Sequence, residues 1–155
     1  MNNFEKMIRD YGLYHKKIIT KITHIIGVPL ILFCILIFFS WFNLTFGTVY
    51  SINLSFLLAL ILSTYYIKVN VKYGLILTVI FIIFLRIIYL LQLNHFNSIN
   101  LLIFVLIFVF GWIIQFTGHL FEKKKPAFLD NFMQIFSAPI FVVHEIFEFI
   151  KNLFK

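Results

Sequence analysis

The chain has 155 residues, 62% of them hydrophobic and 12% charged, with a formal net charge of +7 and a mean hydropathy of +1.01. So large an apolar share exceeds what a soluble domain of this length can bury, which excludes a water-soluble globular fold and makes lipid the solvent. The basic residues collect at the ends of apolar runs and no nucleic-acid-binding motif accompanies them, so nucleic acid is not an expected partner.

The pattern predicts an all-α polytopic membrane bundle of about four transmembrane helices in one domain, residues 1–155. Residues 1–20 form an amphipathic N-terminal helix, with Glu5 and Asp10 on its solvated face. The first span is expected at 25–42. That run is longer than the apolar core of a secretory signal and no small-x-small site follows it, so no cleavable signal is expected. The single cysteine, Cys34, lies inside this run and is expected to pack as a small apolar residue. Further spans are expected at 52–67, 73–93 and 101–121, the second of them short and able to form a tight hairpin with the third through KVNVK. Arg86, inside the third span, is read as snorkelling to the headgroups.

The connections alternate in charge. Lys6, Arg9, Lys16, Lys17 and Lys21 precede the first span, and NLTFGTVYS after it has no charge. Lys68 and Lys72 separate the second and third spans, NHFNSIN has no Lys or Arg, and Lys123 to Lys125 follow the fourth. The positive-inside rule then places both termini in the cytoplasm. A chain rich in Phe, Ile, Asn and Lys, whose codons are AT-rich, points to a bacterial inner membrane, or to the endoplasmic reticulum in a eukaryote. In the tail, 126–155, Pro126 suits a helix start, and Phe128, Phe132, Ile135 and Phe136 recur at helical spacing until Pro139 interrupts them. IFVVHEIFEFI is too short and polar for a span, so the tail is expected to be two interfacial or re-entrant helices.

Two groups of polar residues need a reason. Trp112, Gln115, His119 and Glu122 are spaced 3, 4 and 3, which makes one stripe on a helix, with Gly111 and Gly118 beside it to admit another helix. They are either a helix end turning polar near the headgroups or the wall of a lined site. His15 and His24 stand on opposite faces of an unbroken helix, where each would be an unrelated solvated or interfacial residue. A helix start capped by Thr20 would instead make a corner and return His15 to His24. His15, His24, His119 and Glu122 all fall at the cytoplasmic boundary, which His144 and Glu145 of the tail can also reach; His95 lies in the opposite loop. Histidines with a carboxylate suit iron, zinc or copper, although neither H-E-x-x-H nor dense histidine boxes occur.

Tyr11-x3-His15, His24-x2-Gly27-x-Pro29 and Gly111-Trp112-x2-Gln115-Phe116-x-Gly118-His119-x2-Glu122-x3-Pro126-Ala127-x2-Asp130-Asn131-x2-Gln134 together resemble the membrane 2-hydroxy fatty acid dioxygenase family. Its fungal members act in fatty acid α-oxidation during phytosphingosine breakdown. The resemblance runs from about residue 4 to 150 and implies an enzyme that uses Fe(II) and O2 to remove the carboxyl carbon of a 2-hydroxy fatty acid. It carries over His15, His24 and His119 as metal ligands, with His144 ranked after them. The family usually has Asn where Thr20 stands; both can cap a helix, but the amide is lost, which bears on the substrate contact. On this reading Glu122 is a ligand or the acceptor that orients His119, and Gln115 hydrogen-bonds a ligand or oxygen species. Lys123 and Asn131 join Thr20 as substrate-side residues. The expected partners are a 2-hydroxy fatty acid, O2 and the lipid bilayer. A non-catalytic lipid-binding or assembly protein and a zinc-dependent membrane hydrolase are the alternatives.

Overall fold

A computed structural model describes residues 3–47 and 50–153. The order is α1 (Asn3–Gly12), α2 (Ile18–Ser40), β1 (Asn43–Phe46), β2 (Tyr50–Asn53), α3 (Leu54–Val69), α4 (Val71–Leu90), α5 (Ser98–Glu122), α6 (Ala127–Asp130), a 3-10 helix (Phe132–Phe136) and α7 (Ser137–Leu153). Four helices among the described residues are long and apolar enough to cross a membrane: Ile18–Ser40, Val71–Leu90, Ser98–Glu122 and Phe132–Asn152. The fourth is the tail, which its sequence presented as interfacial. Pro139 falls in the first turn of α7, where its missing N–H is not needed, so the 3-10 helix runs on into α7. α3 is apolar but shorter, at 16 residues.

The chain divides into two compact units, Leu30–Val109 and the pair of segments Met1–Pro29 and Phe110–Lys155. In the first, β1 and β2 form an antiparallel ribbon with Asn43 opposite Asn53, inside a connection that carries no hydropathy signal for it. Asn53 then starts α3 by accepting the Ser55 amide at 3.0 Å. Asn70 makes the tight α3–α4 hairpin that KVNVK predicts. Its amide closes α3 on Tyr66 O at 2.9 Å, while its side chain accepts the Tyr73 amide at 3.2 Å and starts α4. Gly74 lets the two helices meet, since a Cβ there would collide with the backbone of Tyr66 and Ile67. Cys34 is fully buried, as its sequence setting implies. Arg86 is exposed over the Tyr89 ring, and His95 is exposed in the α4–α5 loop.

The second unit holds α1, the start of α2, the end of α5, and the tail. α1 ends at Gly12 and not at residue 20; the chain turns through residues 13–17 before α2 begins at Ile18. α1 turns Phe4, Met7, Ile8 and Tyr11 inward and leaves Glu5, Lys6 and Arg9 exposed. It packs against α7, with Tyr11 and Phe141 ring centroids 4.9 Å apart. Every residue from Ser137 to Val143 is buried, so the first two turns of α7 are interior on all sides. A helix enclosed all round shows no amphipathic face, which is why the tail's sequence reads ambiguously. Lys21 of α2 pairs with Glu145 of α7 at 2.8 Å.

Candidate metal centre

His15 lies in the turn between α1 and α2, His24 two turns into α2, and His119 in the last turn of α5. All three are buried, and one ring nitrogen from each lies within 4.8 Å of the others. The turn at 13–17 is what joins His15 to His24. Thr20 is not the cap that makes it: it sits inside the first turn of α2, fully buried, with its hydroxyl directed to Gly118 O (3.1 Å) and Glu122 Oε2 (2.9 Å). α5 reaches this place because Gly118 has no side chain; a Cβ there would strike the Thr23 hydroxyl and stand 3.2 Å from Thr20 Cα. Gly27 gives way in the same manner opposite Gly111 O and Gln115.

The protonation pattern follows from the hydrogen bonds. His15 Nδ1 is 2.8 Å from Tyr11 O, and His24 Nδ1 is 2.8 Å from Thr20 O. A carbonyl only accepts, so each Nδ1 carries the proton and each Nε2 keeps a lone pair. Those two Nε2 atoms face one another at 3.1 Å with no proton to share. Burial pushes the His15 imidazole down to about 4, so at neutral pH the ring is uncharged. His119 Nδ1 is buried and has no hydrogen-bond partner among the described residues, an arrangement that costs about 1–3 kcal/mol when nothing satisfies it.

A divalent ion answers all three features. Two imidazole nitrogens bound to one ion at about 2.1 Å stand about 3.0–3.4 Å apart for angles between a right angle and the tetrahedral one. The observed separation falls in that interval. Neutral imidazoles whose second nitrogen donates to a carbonyl are also the usual form of histidine at a metal. The three histidines could therefore hold a metal ion. Tyr11 stacks on His15 with centroids 4.2 Å apart, and Phe141 closes the site at 5.5 Å from His15. The role of Phe141 is not visible in the sequence; the IFVV run signals burial but not what it covers.

The other expected residues are distributed around this centre. Glu122 does not join the three-histidine group. Its carboxylate accepts the amides of Lys16 (3.2 Å, on Oε1) and Lys17 (2.9 Å, on Oε2) as well as the Thr20 hydroxyl. His119 Nδ1 makes no hydrogen bond to Glu122 or to any other described residue. Gln115 is half-buried against Gly27, and Trp112 turns away to pack on Phe116 and Phe128. His144 lies on α7 with its ring 6.0 Å from Phe4, outside the cluster. Asn131 is exposed and caps the 3-10 helix by accepting the Met133 amide. Lys123 is exposed just past α5 in a left-handed conformation (φ 58°). Lys124 donates to Leu13 O at 2.8 Å, and Lys125 pairs with Asp130, which also accepts from Tyr14 at 3.1 Å. Leu13, Tyr14, Lys124, Lys125 and Asp130 line a cavity of about 480 Å³ beside the turn that carries His15.

A buried cluster of three histidines among membrane-length helices could hold a metal ion in a membrane enzyme. Residues 1–150 match the family described as "2-hydroxy-palmitic acid dioxygenase Mpo1-like", and the chain belongs to it. It is 32% identical over 148 residues, 92% of its own length and 77% of the relative's, to the 2-hydroxy-palmitic acid dioxygenase MPO1 of Saccharomyces cerevisiae. No solved structure matches the chain significantly.

Proposed function

We propose that this protein is an Fe(II)-dependent dioxygenase that removes the carboxyl carbon of a 2-hydroxy fatty acid and leaves an acid one carbon shorter. The observation that carries the reading is the buried cluster of His15, His24 and His119, in a chain similar over nearly its whole length to a dioxygenase. These three side chains would hold the ion. When bound, ferrous iron would supply O2 activation and the coordination positions that three protein ligands leave open to substrate.

The stoichiometry is self-contained. Converting the 2-hydroxy acid to the shorter acid and CO2 removes four electrons, which one O2 accepts with formation of one water. No further reductant is required. The protein's own groups bind and orient. The acyl chain lies among the apolar helices, and the acid enters by the basic cavity at Tyr14 and Lys124. Lys124 and Lys125 are already engaged, which leaves Lys123 to attract the carboxylate. Gln115, one turn from His119, would donate a hydrogen bond to a substrate oxygen. Phe141 and Tyr11 exclude water from the His15 side. We place the centre and both termini at the cytoplasmic face of a bacterial inner membrane, with α2, α3, α4 and α5 crossing and α7 staying on the cytoplasmic side, following the alternation of basic loops.

The test supplies purified protein with 2-hydroxypalmitate and Fe(II), without reductant, under air and under argon. Pentadecanoate and CO2 in equal amounts, under air only, are expected. No shorter acid under air, or equal product under argon, would reject the assignment. Zinc as the only metal after gentle purification would favour a hydrolase.

A further inference from the structure

The turn at residues 13–17 carries one of the three histidines but is tied down largely from outside. The Lys16 and Lys17 amides donate to the Glu122 carboxylate, the Lys17 ammonium donates to Phe121 O at 2.7 Å, and Lys124 reaches Leu13 O. All of these partners lie at or just past the end of α5. That helix presents His119 and, three residues later, Glu122. One rigid element thus supplies one imidazole and grips the backbone beside another.

We infer that Glu122 is the positioning residue for His15. By fixing the amides of Lys16 and Lys17 it holds the preceding imidazole against His24 and His119, and it is not itself a ligand. Both carboxylate oxygens are already acceptors, one of them twice, and neither satisfies His119 Nδ1. The negative charge also stands at the N-terminal end of α2, where a helix favours it. Glu122 therefore acts through backbone geometry and not through an imidazole hydrogen bond. The inference rests on the reading of the three histidines as a metal site.

The test is anaerobic titration of the detergent-purified full chain with Co(II), read by its visible absorption, in a cycle of four proteins: wild type, Glu122→Gln, His15→Ala and the double variant. The side-chain amide that Glu122→Gln introduces would oppose one of the two backbone N–H groups with an N–H of its own. Glu122→Gln should weaken Co(II) binding about 10- to 100-fold, the range for residues that orient ligands. It should also speed amide exchange at Lys16 and Lys17 in the metal-free protein. In the His15→Ala background the same change should weaken binding less than about twofold, because the ligand it positions is gone. Thr20→Val, which removes one donor to the carboxylate and spares both amides, should weaken binding by a few-fold.

Unchanged Co(II) affinity in Glu122→Gln, or an equal loss with and without His15, would overturn the inference while leaving the metal centre intact. A wild type that binds no Co(II) would overturn both. If Glu122→Gln does not fold, Glu122→Asp in the same cycle decides: its carboxylate is one methylene short, and its loss must likewise vanish without His15.

Discussion

His15 and His24 each commit one ring nitrogen to the carbonyl four residues earlier, so their tautomers are set by the backbone. In the proposed centre, removing either one, or His119, leaves two ligands. His24→Ala and His119→Ala should each abolish turnover of 2-hydroxypalmitate and lower Co(II) affinity by at least about 100-fold, on the scale of lost metal ligands, while the protein stays in the membrane fraction. Full activity in both would refute the site. The buried, uncharged His15 also predicts a pH dependence for the metal-free protein. Unfolded histidine takes up a proton below about 6.5, whereas the folded ring resists until about 4. Between those values the unfolded chain binds more protons, so stability falls as pH falls through this window, by up to about 3 kcal/mol. Thermal melts from pH 7 to 4 should show the loss, and His15→Ala should reduce it, the buried His24 and His119 leaving a remainder.

At the level of elements, the site depends on how closely α5 passes α2. Gly118→Ala would push its Cβ into the Thr23 hydroxyl and should destabilise the protein by about 1–3 kcal/mol. Thr23→Ala should restore part of that, since Thr20 Cα still stands 3.2 Å from the added Cβ. Thermal melts of the two single variants and the double variant provide the comparison. The small-residue pattern of α5 and the KVNVK hairpin are legible in the sequence because both are local: a glycine beside a polar stripe, or an asparagine between two apolar runs. The β1–β2 ribbon and the boundary of α1 are not, since residues 13–17 are held by Glu122 and Lys124, far along the chain. Thr20 has the chemistry of a cap, yet the available acceptors, Gly118 O and Glu122, draw its hydroxyl across to α5.

On the scale of the whole molecule, the class of protein follows from composition alone, and the loop charges divide the chain sensibly. The tail is the exception. Its seven consecutive buried residues lose the periodicity that would identify a packed face, so only the folded chain shows that α7 lines the histidine-bearing unit. Phe141→Ala should therefore lower stability by about 3–5 kcal/mol through the cavity it leaves beside Tyr11 and His15. The proposed orientation has its own check. In a Cys34→Ser background, Ser51→Cys should react with a membrane-impermeant maleimide on intact spheroplasts, and Lys124→Cys should react only after permeabilisation. The reverse pattern would invert the topology.

The order of the ligands along the chain has a consequence for biogenesis. His15 and His24 belong to the first segments to be made, but His119 stands at the end of α5, after the ribbon and the α3–α4 hairpin. A nascent chain therefore offers only two of the cluster's three imidazoles until α5 has emerged and inserted. In the proposed centre metal capture would be a late event, and any chain stopped before α5 should leave the ribosome unable to retain an ion there.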